Sequence, residues 1–291
     1  MPDDATSLSI VIPTYRRERV LIDTIEALLQ LEPQAAEILV VDQSASHEPA
    51  VAYALQRFVR EGRIRLARLQ SPSIPAAMNL GLRMARGKFA LFVDDDIQPA
   101  PGLIQAHLAA VAKAGVELVA GRVIQPWDTE PIFACAEPKE GFVEQFFGGN
   151  FSVDRKIALN LGGFDENFAR AAYRFEVEFA YRWRHSGRRI FYEPRACLHH
   201  LKCSSGGTRA FSDHLRTARP DHAVGEYYCL LRTWRGWPSV RALLGRPFKA
   251  IATRHHLRSP WWIPVTLIGE IRAAAWAISL AWRGPKLAPP C

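Results

Sequence analysis

Three consecutive aspartates, Asp94, Asp95 and Asp96, follow the apolar run Phe89–Val93. A buried strand that ends in several carboxylates is costly unless a cation neutralises them. A divalent metal with oxygen ligands does this well, and it usually shares its charge with a phosphate. The alternative for an isolated acidic run is a solvated turn or a helix start. The elements around the run favour the metal.

The first hundred residues alternate between short apolar segments and amphipathic segments. The pattern predicts strands at 8–12, 37–41, 64–69 and 88–93, and helices at 19–31, 48–61 and 75–85. Short apolar strands separated by amphipathic helices indicate an α/β fold with a mostly parallel central sheet flanked by helices. Ligands bind at the carboxyl ends of the strands in such sheets. Asp42 and the three aspartates both follow strands, so a nucleotide is expected beside them.

The same alternation continues beyond the aspartates. The sequence predicts a helix at 101–114, a strand at 117–123, loops with short strands at 125–150, helices at 154–160 and 175–185, and a strand at 188–192. We therefore expect one α/β domain over residues 1–219. Residues 220–291 form a basic, tryptophan-rich helical extension.

The charge of the chain is uneven. Residues 1–180 hold 18 Lys and Arg against 24 Asp and Glu, whereas residues 181–291 hold 19 against 5. A basic half with interleaved aromatics suits nucleic acid or an anionic membrane surface. Because no helix-turn-helix, RNA-recognition or zinc-finger signature accompanies it, we expect a membrane partner and no nucleic acid.

The C-terminal segment from Trp261 to Trp282 is long enough to cross a membrane, and only Glu270 and Arg272 within it are charged. Two adjacent central charges make an isolated crossing expensive, so a helix lying at the membrane surface is favoured. An ordinary helix packed on the catalytic domain and a true crossing are the alternatives.

Five cysteines without C-x-x-C spacing indicate a reducing compartment. The amino terminus has neither a basic start nor an apolar signal core, so a cytoplasmic location at the inner face of the membrane is expected.

Eight short motifs occur in the order typical of one family. They are Val11–Arg16, Val40–Ser44, Asn79–Gly81 with Ala85–Gly87, Phe92–Asp96, Gly149–Asn150, Gly162–Glu166, Phe175–Phe179 with Arg182, and Pro194–Ala196 ahead of His199 and His200. Over about residues 8–210 the chain resembles the family 2 inverting glycosyltransferases, which have the GT-A fold. The resemblance implies that fold, with a catalytic domain over residues 1–219 and the C-terminal helical extension as a membrane-associating addition. The nucleotide-binding half of that domain would span about residues 1–123 and the acceptor half about residues 124–219.

The resemblance assigns a nucleotide-binding role to residues near the ends of the first strands. They are Pro13, Thr14, Tyr15, Arg16, Asp42, Asn79, Asp94 and Asp95. For residues 13–16 a simple strand-to-helix turn is the alternative. The Asp42 carboxylate can accept a hydrogen bond from the imide N–H of uracil or thymine. UDP is therefore favoured. Gln43 stands where the family often has a second acid, which leaves the base open, with GDP and dTDP as alternatives.

The two outer aspartates correspond to the D-x-D signature of the family. Asp96 would bind Mg²⁺ or Mn²⁺ directly, and Asp94 would contact the ribose, or the metal through water. The family supplies a further metal or diphosphate ligand where His199 and His200 stand. Strand alternation allows only one of these two histidines to face the cleft.

Glu176 is the candidate catalytic base. The family has a Glu-Asp pair here, whereas this chain has Phe175 and Glu176. Glu178 matches a second acidic position and could support an acceptor hydroxyl. The alternative for both glutamates is an acidic helix start favoured by the helix dipole.

The remaining assignments concern the sugars. Gly149 and Asn150 would line the donor-sugar pocket, and Phe164 and Asp165 the acceptor side. Arg209 would clamp the diphosphate, with a plain surface loop as the alternative for its segment. The implied reaction is a metal-dependent, inverting transfer from a nucleotide diphosphate sugar to a hydroxyl of a glycan or lipid-linked acceptor in cell-envelope or exopolysaccharide synthesis.

Two other functions remain open. One is a catalytically silent sugar-nucleotide-binding subunit, which the Phe175 and Glu176 departures make plausible. The other is a nucleotidyltransferase, which would want a glycine-rich phosphate loop after the first strand, where residues 13–16 are Pro-Thr-Tyr-Arg.

Overall fold

A computed structural model describes residues 7–113, 115–128, 139–168, 170–171, 173–203, 205–207 and 215–289. Within these residues the strands form one sheet. They are β1 Leu8–Thr14, β2 Glu37–Asp42, β3 Arg65–Arg68, β4 Phe89–Val93, β5 Ile97–Pro99, β6 Leu118–Ile124, β7 Gly141–Val143, β8 Asn150–Asp154 and β9 Ile190–His200.

The helices cover the sheet and form the C-terminal extension. They are α1 Arg19–Leu29, α2 Pro49–Arg60, α3 Ile74–Met84, α4 Leu103–Val111, α5 Arg155–Asn160, α6 Phe175–His185, α7 Val224–Arg232, α8 Trp237–Ile251, α9 Arg254–Arg258 and α10 Ile263–Arg283. A short 3-10 turn at Pro260–Trp262 leads into α10.

The sheet has the order β3-β2-β1-β4-β8-β6-β9-β5, and β7 pairs with β9. Strands β3, β2, β1 and β4 are parallel, as the alternating pattern predicts. Strand β8 runs antiparallel to both β4 and β6, and β9 is parallel to β6. Because Thr14 lies opposite Asp42 in the β1–β2 pair, the ends of these strands meet at one edge.

The parallel strands are apolar on both faces because helices cover both. In β1, Ile10 and Ile12 belong to one buried cluster, which includes Leu21 and Ile25 of α1. Val11 belongs to the other cluster, on the opposite face. Successive side chains of a strand point to opposite faces, so a continuous apolar run is what a doubly covered strand requires.

Strands β5 and β8 were not expected from the sequence, and β9 is longer than the predicted 188–192. Strand β8 lies between β4 and β6, so its partners are distant in the chain. Its last residue, Asp154, caps α5 by accepting a hydrogen bond from Ile157 N at 3.1 Å. The helix expected at 154–160 therefore begins one residue later.

The C-terminal extension packs on the sheet-containing domain. One face of α10 is buried, and it consists of Thr266, Gly269, Glu270, Ala273, Ala277 and Leu280. After α10 the chain returns to the domain, where Ala288 N donates to Gly162 O at 2.7 Å. The alternative of an apolar helix packed on the domain thus describes one face of α10.

Candidate active site

The ends of β1 and β4 and the start of α6 line one cavity of about 930 Å³. Eight of the residues expected in the site line it: Pro13, Tyr15, Asp94, Asp95, Asp96, Gly149, Glu176 and His200. The cavity lies where the parallel strands end, as expected for a ligand site of such a sheet.

Asp94, Asp96 and His200 form a group that could hold a metal ion. One ligand atom from each lies within 4.8 Å of the others. His200 Nε2 is 3.3 Å from Asp96 Oδ1 and 4.0 Å from Asp94 Oδ2. Two carboxylates and an imidazole suit Mg²⁺ or Mn²⁺, so the donor set fits the predicted cofactor.

The pairing of β5 with β9 selects His200 over His199. His200 lies opposite Ile97, the residue after Asp96, whereas His199 lies opposite Gln98. Only His200 lines the cavity. Its Nδ1 is 3.1 Å from Gln125 Oε1. When the neutral imidazole carries its proton on Nδ1, the lone pair of Nε2 can bind a metal ion.

Gly149 lies directly against Asp94. A Cβ atom at this position would collide with the Asp94 carboxylate. The Asp94 amide donates to Gly149 O at 3.3 Å, which joins the end of β4 to the start of β8. The glycine is required here because the backbone approaches the carboxylate more closely than any side chain allows.

Arg17, which the sequence analysis missed, neutralises part of the aspartate charge. Its Nε is 3.0 Å from Asp95 Oδ1 and its Nη2 is 3.0 Å from Asp96 Oδ2. Its Nη1 donates to Ser205 O. The neighbouring Arg16 is exposed with φ 53°, and this turn directs the second arginine into the site. In the sequence, the only sign of this countercharge is the pair of consecutive arginines, Arg16 and Arg17, after β1.

Burial and mutual repulsion shift the ionisation of the site. Burial, together with the neighbouring carboxylates, raises the pKa of Asp94 and of Asp95. Burial also acts to raise the pKa of Asp96, but His200, Arg17 and the Cys203 amide outweigh burial, so that the pKa of Asp96 is lowered. Burial opposes protonation of His200, yet Asp96 and Asp94 raise its pKa. Negative charge is in excess, which favours binding of a cation.

Glu176 lies in the first turn of α6, after Arg174, whose φ is 73°. Burial, the largest cause, raises the pKa of Glu176 to about 7, and Glu226 and Asp94 act in the same sense while Arg174 opposes them. Arg174 Nε is held 2.9 Å from Glu226 Oε1. Glu176 also lines a second cavity of about 570 Å³, between β6, β7 and α6. It therefore stands at the junction of two cavities.

Asp42 does not line the cavity. Its carboxylate accepts from Ser44 N at 2.8 Å and lies 3.0 Å from His47 Nε2 and 3.2 Å from Arg68 Nη1. Gln43, the residue after it, lines the cavity instead. The structure thus uses the Asp42 carboxylate inside the fold, at the end of β2.

Asn79 is also engaged within the fold. Its Nδ2 donates to Phe164 O at 2.8 Å, and its Oδ1 accepts from Phe164 N at 2.8 Å. This pair of hydrogen bonds joins α3 to the 162–166 loop. Neither Asn79 nor Phe164 lines the cavity.

Three further expected residues are buried partners of other side chains. Asn150 Oδ1 lies 3.0 Å from His107 Nε2, Asp165 Oδ2 accepts from Tyr228 Oη at 2.7 Å, and Glu178 Oε1 is 2.9 Å from Arg182 Nε. Like His199, Thr14 and Arg16, they are not among the cavity-lining residues. Arg209 lies outside the described residues.

Aromatic and basic side chains complete the cavity wall. They include Trp127, Phe147, Tyr173, Phe175, Lys202 and His222. The Lys202 ammonium lies 3.8 Å above the Trp127 ring. In the sequence, Trp127 and Phe147 lie in the aromatic-rich residues 125–150, and Phe175 belongs to a family motif.

Comparison with known proteins identifies the class. Residues 9–179 match the family model described as Glycosyl transferase family 2. The chain belongs to this family, as the motifs predict.

Two curated relatives carry glycosyltransferase names. An uncharacterized glycosyltransferase of Rickettsia felis is 31% identical over 91 residues, which cover 31% of this chain and 15% of that protein. Glycosyltransferase GlyG of Streptococcus pneumoniae is 26% identical over 118 residues, 39% of this chain and 38% of that protein. The matched regions span well under two thirds of these relatives.

Solved structures share the fold. GalNAc-T7 with UDP, GalNAc and Mn²⁺ has a TM-score of 0.63 at 14% identity, covering 91% of this chain and 54% of that one. Mannosyltransferase PcManGT from Pyrobaculum calidifontis, with GDP-Man and Mn²⁺, has a TM-score of 0.56 at 19% identity, covering 98% of this chain and 81% of that one. TarS of S. aureus with UDP-GlcNAc has a TM-score of 0.61 at 13% identity, covering 93% of this chain and 83% of that one. The GT-A fold expected from the sequence is confirmed.

Proposed function

We propose that this protein transfers a sugar from a nucleotide diphosphate sugar to a hydroxyl acceptor, with inversion at the anomeric carbon and with a divalent metal. One observation carries the proposal: Glu176 and the Asp94, Asp96 and His200 group line the same cavity. A base and a cation site facing one space suit a displacement in which the acceptor oxygen attacks one face of the anomeric carbon and the diphosphate leaves from the other.

The donor is proposed to lie in the larger cavity, with its base near Tyr15 and Gln43. UDP is favoured because two similar folds have been solved with UDP or UDP-GlcNAc. GDP is an alternative, since a third was solved with GDP-Man, and dTDP is a further one. The role of Asp42 in binding the base stays a prediction. Its partners in the fold support an indirect role, through the position of Gln43.

Asp94, Asp96 and His200 would hold Mg²⁺ or Mn²⁺, which would supply positive charge beside the diphosphate. Two of the similar structures contain Mn²⁺. Arg17 holds Asp96 in place from the other side and limits the repulsion between the carboxylates. The Arg17 side chain is 9% exposed, so it acts as a fixed part of the cavity wall.

Glu176 is the proposed general base. Its carboxylate accepts the proton of the acceptor hydroxyl while that oxygen forms a bond to the anomeric carbon. The bond from this carbon to the diphosphate oxygen breaks, and the nucleoside diphosphate leaves with the electron pair. Apart from Asp94–Asp96, Glu176 is the one carboxylate among the described cavity-lining residues, which supports a single displacement without a covalent intermediate.

The acceptor is proposed to reach Glu176 from the smaller cavity. That cavity carries Arg122, Gln145 and Tyr192, polar groups suited to a hydroxylated glycan. A glycan or lipid-linked acceptor in cell-envelope or exopolysaccharide synthesis, reached by peripheral contact at the inner face of the membrane, suits the basic tryptophan-rich extension.

The test is release of nucleoside diphosphate from UDP-, GDP- and dTDP-sugars with Mn²⁺, with and without acceptor glycans. We expect turnover with one donor class, loss of turnover with EDTA, and loss in Glu176→Gln with nucleotide binding retained. Glu144→Gln is the matched control, because Glu144 has a 73% exposed side chain and does not line the larger cavity. The anomeric configuration of the product, read by NMR, tests inversion.

Two outcomes would replace the proposal. Tight nucleotide-sugar binding without turnover on any acceptor would favour a catalytically silent binding subunit. Release of pyrophosphate from a nucleoside triphosphate and a sugar phosphate would favour a nucleotidyltransferase.

A further inference from the structure

Helix α10 has two apolar faces, of which the domain covers one. The exposed side chains of the other repeat at intervals of three and four residues: Pro264, Ile268, Ile271, Ala275, Ile278 and Trp282. This spacing forms one stripe along the helix. Trp282 is 91% exposed and Ile271 is 69% exposed. An apolar stripe of this length on a surface helix marks an interaction site.

Neighbouring elements continue the exposed apolar surface. Helix α8 packs on α10 and exposes Trp237, Leu244 and Phe248, each about 70% accessible. Leu257 of α9 is 84% exposed and Trp261 is 67% exposed. We name these exposed apolar residues of α8, α9, the following turn and α10 the outer face of the extension.

The charge of this region is almost wholly positive. From residue 233 to the C-terminus the chain has one acidic residue, Glu270. Its carboxylate is buried, where it accepts from Tyr227 Oη at 2.8 Å and lies 3.5 Å from Arg246 Nη2. Exposed Arg241, Lys249, Arg254 and Arg258 accompany the apolar side chains of α8 and α9. The charge complements an anionic surface.

The packing of α10 opposes a crossing. The segment Pro260–Arg283 has the length and hydropathy of a membrane span, with a mean hydropathy of 1.4. However, Gly269 lies against the backbone of Thr217 and Ala218, and Lys286 N donates to Asp165 Oδ1 at 2.9 Å. A crossing would break these contacts and carry Glu270 into hydrocarbon.

We propose that the outer face of the extension binds an anionic lipid bilayer in the plane of its surface. Tryptophan and branched aliphatic side chains enter the interface, while arginine and lysine contact the lipid phosphates. The buried face of α10 stays on the domain. None of the outer-face residues lines either cavity, so membrane binding and sugar transfer are separable by mutation.

The test is flotation of the purified full chain with vesicles of phosphatidylglycerol and phosphatidylcholine, compared with phosphatidylcholine alone. We expect binding to the anionic vesicles and release by 1 M salt, because the cationic contribution is screened. The triple variant Leu244→Ser, Phe248→Ser, Leu257→Ser should reduce partitioning at least about tenfold, since burial of each side chain contributes to binding. The triple variant Arg241→Gln, Lys249→Gln, Arg254→Gln should do the same on anionic vesicles.

Matched controls lie on the opposite half of the chain. Tyr53→Ser with Val59→Ser removes two exposed apolar side chains of α2, and Arg60→Gln with Arg63→Gln removes two exposed charges. These variants should float as the wild type does. Thermal unfolding and nucleotide binding of all the variants should match the wild type, because the substituted side chains are at the surface.

Three results would overturn the proposal. They are wild-type protein that does not float with anionic vesicles, equal binding to both vesicle types, and bound protein that resists salt and alkaline extraction as a crossing helix would. A dimer in solution that the apolar triple variant dissociates, without vesicle binding, would assign the outer face to a second copy of the chain.

Discussion

Replacement of Glu176 by glutamine should separate catalysis from binding. The substitution keeps the shape of the side chain but removes its ability to accept a proton. General-base catalysis contributes about 10²- to 10⁴-fold, so we expect kcat to fall by that factor, or about 3 to 5 kcal/mol in the barrier. The donor dissociation constant should change less than about threefold, because the metal group is intact.

The pH dependence gives a second readout of the same residue. With a pKa of about 7, Glu176 is about nine tenths protonated at pH 6 and therefore inactive as a base. The rate constant kcat/KM of the wild type should rise about tenfold from pH 6 to pH 8 before it levels, since only the carboxylate accepts a proton. The residual activity of Glu176→Gln should lack this rise.

The raised pKa of Glu176 also affects stability: ionisation that activates this residue as a base destabilises the folded state. The folded state holds the proton of Glu176 more tightly than the unfolded chain, whose ordinary pKa is 4.5, because burial disfavours the anion. Its ionisation therefore lowers the free energy of unfolding as pH rises from about 4.5 to 7. Glu176→Gln should be more stable than the wild type at pH 8, by about 1 to 3 kcal/mol, and equal to it at pH 4.

The assays are a coupled nucleoside diphosphate release measurement from pH 5 to 9 and urea unfolding at pH 4 and 8. Glu144→Gln serves as the control in both. A Glu176→Gln enzyme with more than a third of wild-type kcat, or with an unchanged rise between pH 6 and 8, would refute the assignment of the base.

Three further substitutions test how the site is built. Arg17→Met should lower the free energy of unfolding by about 3 kcal/mol in urea titration, because it leaves two buried carboxylates without their cation; a change under 1 kcal/mol would contradict this. Asn79→Ala should cost about 2 to 3 kcal/mol by the same measurement, since both backbone groups of Phe164 lose their partners. Gly149→Ala should weaken Mn²⁺ binding at least about tenfold in calorimetric titration with the fold retained, because the added methyl displaces the Asp94 carboxylate; unchanged affinity would exclude Asp94 as a ligand.

The local elements of the nucleotide-binding half could be predicted because their signals are local. A strand buried on both faces must be apolar throughout, and the helices between must be amphipathic, so β1, β2 and β4 were found within two residues of their ends. The short β5 and the central β8 carry no such signal. They are strands because of partners far along the chain, and propensity does not report those partners.

The candidate site divides in the same way. The aspartate run, Gly149, Glu176 and one histidine of the pair were found from motifs, and the structure brings them to one cavity. Arg17 and Gln43 were missed by one residue each, because the turn after a strand decides which side chain faces inward. Asp165 and Glu178 are buried acidic residues that Tyr228 and Arg182 hold inside the fold.

The sequence by itself determined the family, the order of the elements and the types of side chain available for metal binding and proton transfer, because these follow from local pattern and residue chemistry. The tertiary structure alone decided that His200 rather than His199 faces the aspartates, that Arg17 supplies part of their countercharge, and that α10 is covered on one face and open on the other. These choices depend on strand pairing and helix packing between segments distant in the chain, and no local pattern encodes those distances.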